Sequence, residues 1–458
     1  MPVAAVIEEL LQKFDIEFAV SQVHPNADLS SLAGAAKASI LQDSAGKVQV
    51  IYSADSILDL EALCRLTDRN LKPFSQEDTQ ALCRDLSLDH LTAVPQALGF
   101  PLVIDQQLLD ETELKLDSGN HEDVININIA QFKKLAAEAT SGKIAIRESE
   151  LVKGSLDDAG DVEQITAAVG SFTQLRIKQR LEETLEFPPL PETAQRIIKL
   201  RVDPNADIKD LTDIVETDPA LAAQVVSWAA SPYYAAPGKI KSVHDAIVRV
   251  LGFDLVLNLS LGLALGKTLN LPRDHAKGFT PYWHQAVYAA AAMEALVGAI
   301  PPKQRPTMGL AYLSGLLHNF GYLILAEVFP PYFSNICRYQ EANPYSNHSH
   351  IERHLLGVTR EQLGSWLMRL WNMPTEVCTA LRFQNESGYQ GEDNAYANLL
   401  FVALHMLRRH GIGDAPLAPI SEELFERLHL DREKAEEAIA RVMEGAADLN
   451  NMASNMAA

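Results

Sequence analysis

Gly315-Leu316-Leu317-His318-Asn319-Phe320-Gly321 sets a histidine and a carboxamide side by side between apolar neighbours. A histidine beside an aspartate would offer two ligands to a divalent ion, and such an ion can activate water. Asn319 keeps the shape of that aspartate and loses its charge. A neutral amide oxygen can touch a cation but neither neutralises it nor bridges two metals well, so the chemistry should be crippled unless other acids compensate.

Around this turn, residues 183–410 read as helix after helix. Asp218-Pro219 is an N-cap and first-turn pair ahead of Leu221, Val225 and Trp228 on one face. Ser242 with Asp245 resembles a capping box, and Gly252 stands where a helix-ending glycine would. Thr359 with Gln362 repeats the device. Leu363, Trp366, Leu367, Leu370 and Trp371 then form an apolar stripe that Pro374 stops. Residues 1–135 differ: a helical pattern over 3–14 is followed by strand-like runs from Phe18 and at 38–41, 48–52, 102–104 and 125–129. In the last run Ile125, Ile127 and Ile129 alternate with Asn126 and Asn128. This predicts a multidomain chain, a mixed α/β domain followed by an all-helical one. Between them, 136–182, with Gly142, Gly154, Gly160, Gly170 and Asp157-Asp158, reads as a linker and lead-in helix. Residues 411–458 read as a helical extension whose tail, from about 446, frays.

Composition narrows the function classes. With 458 residues, two or three domains are expected; hydrophobic content is 47% and charged content 22%. No apolar run is expected to reach the roughly 18 to 20 residues that span a bilayer, and the start has no basic region before its apolar residues. A cytoplasmic protein without membrane association is expected. Cys64, Cys83, Cys337 and Cys378 contain no CxxC pair, so four buried thiols are expected rather than a zinc ribbon. The net charge of −21 opposes direct contact with a nucleic-acid backbone.

Residues 183–410 resemble the HDOD family, a non-catalytic branch of the HD superfamily in bacterial signalling proteins. The signatures occur in order: Phe187-Pro188-Pro189-Leu190-Pro191, Val215-Glu216-Thr217-Asp218-Pro219, Ser231-Pro232-Tyr233-Tyr234, Ile240-Lys241-Ser242-Val243-His244-Asp245, Trp283-His284, the 315–321 turn, Leu356-Gly357-Val358 and Trp371-Asn372-Met373-Pro374. The resemblance maps the HD ligand positions onto His284, His318, Asn319, Arg360, Gln384 and His405. Two histidines, His284 and His318, survive near the expected centre. Arg360 is a permanent cation that would repel a metal, and Gln384-Asn385 replaces a histidine pair. No carboxylate is expected at the centre, no cofactor is expected, and at most a residual single divalent metal would sit on His284 and His318. His348, His350 and His354 read as solvent-exposed histidines at a helix start, not as ligands.

Residues 1–135 more faintly resemble the YbaK/prolyl-tRNA-synthetase-associated editing fold. The likeness rests on Ala35-Ala36-Lys37, the run 48–54, Pro95 to Asp105 and Ser118-Gly119-Asn120. If the chain were a deacylase, the resemblance would assign Lys37, Ser118 and Gly119 to the site; otherwise Lys37 reads as a surface lysine at a strand edge and 118–120 as a turn. Three readings follow. The first is a non-enzymatic signalling or regulatory protein binding a protein partner or a small, nucleotide-like ligand. The others are a trans-editing aminoacyl-tRNA deacylase, the one case calling for tRNA, and a metal-dependent phosphohydrolase.

Overall fold

The computed structural model describes residues 4–22, 32, 34–120, 123–151, 158–178, 189–235 and 238–457. Val3, Gly154, Asp157, Phe187 and Pro188 lie outside them.

Among the described residues the first domain has ten strands: β1 (Ala19–Gln22), β2 (Ala35–Asp43), β3 (Gly46–Ser53), β4 (Ser56–Leu58), β5 (Lys72–Pro73), β6 (Leu102–Asp105), β7 (Glu113–Asp117), β8 (Asp123–Asn128), β9 (Thr140–Gly142) and β10 (Ala145–Arg147). A mixed sheet runs β1-β8-β7-β2-β3-β6-β9 with β5 beside β2, while β10 pairs with β4. The Ile/Asn alternation forms β8 as expected, with Ile125 and Ile127 buried. It stops one residue early, because the Asn128 side chain caps the following helix by accepting from Gln131 N.

The linker expected from residue 136 begins too soon. β9 lies parallel to β6 in register Val103↔Thr140, and the buried Asp105 carboxylate accepts from Ile144 N and Ala145 N at 2.8 Å each. Thr140-Ser141-Gly142 has no apolar periodicity of its own, and the neighbouring strand supplies its conformation.

Strand β2 is buried on both faces, and this joins the domains. Ala36, Ala38 and Ile40 enter one apolar cluster with Ile7, Leu11 and Phe132. Leu41, with Val48, Val50 and Tyr52 of β3, enters another that contains Tyr339, Ala342 and Ile351 of the helical domain. Buried polar contacts run through the same surface: Asn343 Oδ1 accepts from Leu58 N at 2.6 Å, Asn343 Nδ2 donates to Leu58 O at 3.2 Å, and Ser39 Oγ donates to Ala342 O at 3.0 Å.

In the helical domain the expected caps form. Asp218 accepts from Ala220 N and Leu221 N, and Thr359 and Gln362 make both bonds of a capping box. At Ser242 one half of the box changes: Asp245 N donates to Ser242 Oγ, whereas the Asp245 carboxylate accepts from Lys241 N, one residue before the cap. Leu370 departs from its stripe and is 58% exposed, and Cys64 is only half-buried. Contrary to the sequence expectation, the stretch Met308–Val328 has the length and hydropathy to cross a membrane, yet nearly all of it is buried inside the fold.

The C-terminal tail is not frayed. Residues Ala446–Ala457 form a helix against Tyr282–Ala299, burying Leu449, Met452 and Ala453, and Tyr288 Oη donates to Asn450 Oδ1 at 3.1 Å. Those three side chains fall at i, i+3 and i+4, one helical face hidden in an otherwise small and polar sequence.

Candidate functional site

His318 and Asn319 break the apolar stretch into two helices, Met308–Leu317 and Phe320–Val328. His318 Nδ1 donates to Gly315 O at 2.7 Å, so the ring closes its own turn. Gly321 lets the second helix cross onto the start of the helix Arg360–Leu370, since a Cβ there would overlap the Arg360 carbonyl. The crossing brings Arg360 beneath Asn319.

Arg360 is 2% exposed and its guanidinium occupies the centre. Its Nε donates to Glu352 Oε1 at 2.5 Å, its Nη1 to Asp414 Oδ2 at 2.9 Å and to Asn319 Oδ1 at 3.2 Å, and its backbone N to Glu352 Oε2 at 2.8 Å. The Tyr322 ring lies 5.1 Å from the guanidinium carbon. Asn319 Nδ2 reaches Gln285 Oε1 at 3.4 Å, so this amide links three helices. Gln384 Nε2 donates to His318 O at 2.8 Å and closes the other side.

A second buried pair adjoins the first. His348 Nε2 lies 2.6 Å from Glu361 Oε1, which also accepts from Asn385 Nδ2 at 2.9 Å. Burial opposes the Glu361 charge, but His348 and Arg360 beside it hold its carboxyl well below the usual carboxylate range. Asp414 is likewise opposed by burial and held low by Arg360, His348 and Arg408, whereas burial raises Glu352 despite Arg360. Burial pushes His318 down to about 4 and His405 down to about 3. Both are therefore neutral near pH 7.

The structure redistributes the expected site. Asn319, His318, Arg360 and Gln384 do come together. His284 does not; its neighbour Gln285 faces the centre, because an adjacent helical position points about 100° away. His405 lies outside the cavity lining and accepts at Nε2 from Arg408 Nη1 at 3.1 Å. The expected lack of carboxylates is overturned, since Glu352, Glu361 and Asp414 converge from a helix interior, a helix first turn and a C-terminal turn. The expected exposure of the histidine cluster is overturned too. His348 is buried, while His350 and His354 face the first domain, near Glu148 at 3.3 Å and Asp59 at 3.9 Å.

No metal-ligand set results. Among the described residues no group of three His, Cys, Asp or Glu side chains is placed to hold an ion, and a cavity of about 20 Å³ remains beside Arg360, room for about one water. The Glu352 and Asp414 carboxylates are engaged by the guanidinium and Glu361 by His348 and Asn385, so the residues do not fit a divalent metal.

In the first domain Lys37 is no surface residue. It is 8% exposed on the two-sided β2, and its Nζ donates to Ser346 Oγ of the helical domain at 3.3 Å. Ser118 Oγ donates to Asp123 O at 2.6 Å, and Gly119, at φ +84°, makes the turn between β7 and β8.

Comparison with known proteins agrees with this architecture. A crystal structure of a candidate signal transduction protein from Marinobacter aquaeolei VT8 is 40% identical, covers 100% of both chains and superposes with a TM-score of 0.90. The model of the HDOD domain matches residues 187–387. Residues 187–387 are an HDOD domain. An HDOD domain protein of unknown function from Geobacter sulfurreducens is 20% identical, covers 64% of this chain and 99% of its own, and shares the fold with a TM-score of 0.51. A curated, uncharacterised protein of Treponema pallidum (strain Nichols) is 21% identical over 262 residues, 57% of this chain, and the chain spans about half, 49%, of that relative's length. A candidate trans-editing enzyme for prolyl tRNA synthetase is 15% identical and covers 32% of this chain and 98% of its own, with a TM-score of 0.27.

Proposed function

We propose that this HDOD protein is a non-enzymatic regulatory component of bacterial signal transduction, its helical domain a binding scaffold for a protein or small ligand. The observation that carries the reading is the Arg360 guanidinium, held by Glu352, Asp414 and Asn319 where an HD enzyme would need a metal ion. A fixed organic cation satisfies the buried carboxylates without offering a Lewis acid or a bound water. The tight docking of the helical domain on β2 supports a regulatory arrangement in which the sheet and the helical domain respond together.

The test is metal content and hydrolysis. Protein purified without chelator should hold less than about 0.1 equivalent of Mn, Fe, Ni or Zn and should not hydrolyse cyclic dinucleotides or a generic phosphodiester after metal addition, which structural ions bound at full occupancy would contradict. Asn319→Asp should also stay inactive, because Arg360 and Gln384 still fill the centre. Robust hydrolysis by that variant would overturn the reading.

A further inference from the structure

Beside the Arg360 centre a cavity of about 290 Å³ opens, sharing Gln285, Asn319 and Asp414 with it. Phe279, Tyr282 and Tyr322 give it aromatic walls, and the Tyr282 and Tyr322 rings lie 15° from parallel with centroids 6.4 Å apart. Neither lysine nor arginine is among the described residues that line it; His275 is the one basic side chain there, and the Asp414 carboxylate would repel a phosphate.

Gln340 also lines this cavity. It is 4% exposed, and its Nε2 has no hydrogen-bond partner among the described residues. Leaving a buried amide unpaired costs about 1 to 3 kcal/mol, so a cavity-facing amide in this state is poised for a ligand. A carboxamide presents a donor and an acceptor side by side, whichever way it is turned. Asp414 adds a second fixed group: its Oδ2 is taken by Arg360, while Oδ1 lies 3.7 Å from His348 Nδ1, beyond hydrogen-bond distance.

We propose that this cavity binds an uncharged planar heterocycle of the nucleoside class, its ring against Tyr282 and Tyr322, its donor–acceptor edge on Gln340 and an N–H on Asp414. The assignment deepens the proposed function and rests on its reading of the centre as metal-free. The roof ties the ligand to the rest of the chain. Lys277 N donates to Glu341 Oε1 at 2.7 Å, Arg338 Nη2 to His275 O at 3.2 Å, and Gly278 abuts the Gln76 side chain of the first domain. A ligand beneath residues 271–281 thus bears on a surface that both domains share.

Titration calorimetry of the full chain with adenosine, guanosine, cytidine and uridine tests this. At least one nucleoside should bind saturably below about 5 mM, and its 5′-monophosphate should bind at least about tenfold more weakly. Gln340→Met should weaken the nucleoside at least about tenfold while leaving the ligand-free Tm unchanged or higher, because an apolar isostere relieves an unpaired donor. Should that variant not fold, Ala276→Leu, which narrows the cavity from its wall, should show the same loss. No saturable nucleoside binding, tighter binding of the monophosphate, or wild-type affinity in the folded variants would overturn the proposal. None of these results would alter the metal and hydrolysis tests, whereas stoichiometric metal with phosphodiester turnover would remove the metal-free reading and this proposal with it.

Discussion

Arg360 and Glu352 form an ion pair with exposures of 2% and 0%, far from the dielectric that weakens surface pairs. Removing either member alone strands a buried charge. Glu352→Met and Arg360→Met should each cost about 3 to 5 kcal/mol in denaturant unfolding, and the double variant should cost much less than their sum. Additive losses would show that the two groups do not stabilise one another. The histidines predict a pH response of definite sign. His318, at about 4 when folded against an ordinary 6.5, takes its proton more readily in the unfolded chain, so stability falls as pH drops from about 6.5 toward 4. His405, at about 3, extends the same loss lower. Unfolding midpoints measured from pH 7 to 4 should fall steadily, and the double variant His318→Gln with His405→Gln should flatten that slope. Of these site residues, His318, Asn319, Arg360 and Gln384 were legible in the sequence, because their family signatures sit in order. Glu352 and Asp414 were not, since nothing local to a helix interior says that it faces the start of the next helix, and nothing local to a Gly-Asp turn says that it faces a guanidinium 54 residues away.

Among the elements, helices with strong local signals form where their caps place them. Asp218, Ser242 and Thr359 each accept from the backbone of the turn they open. Short elements depend instead on neighbours, as β9 on β6 and β10 on β4 show. The terminal helix Ala446–Ala457 is of this second kind: its sequence is small and polar, and packing on Tyr282–Ala299 gives it a buried face. Ending the chain at Gly445 should therefore destabilise the helical domain by on the order of 3 to 5 kcal/mol, from Leu449 and Met452 burial with the bonds to Tyr288. Unchanged thermal unfolding of that truncation would mean the helix contributes nothing.

For the molecule as a whole, the docking of β2 and β3 against residues 339–351 should make the two domains unfold as one cooperative unit. Asn343 is the polar centre of this contact, satisfying both backbone groups of Leu58. Asn343→Ala should cost about 1 to 3 kcal/mol and split a single unfolding transition into two as the domains uncouple. One transition at the wild-type midpoint would show that the apolar contact alone binds them. The sequence by itself determined the two kinds of domain, the order of the helical signatures and the replacement of the aspartate by Asn319, because periodicity, caps and motif order are local properties. Only the tertiary structure decided what occupies the centre. A guanidinium and three carboxylates meet there, Glu352, Arg360 and Glu361 from two successive helices and Asp414 from a turn 54 residues beyond Arg360, and which side chain faces inward depends on helix crossings that no local pattern encodes.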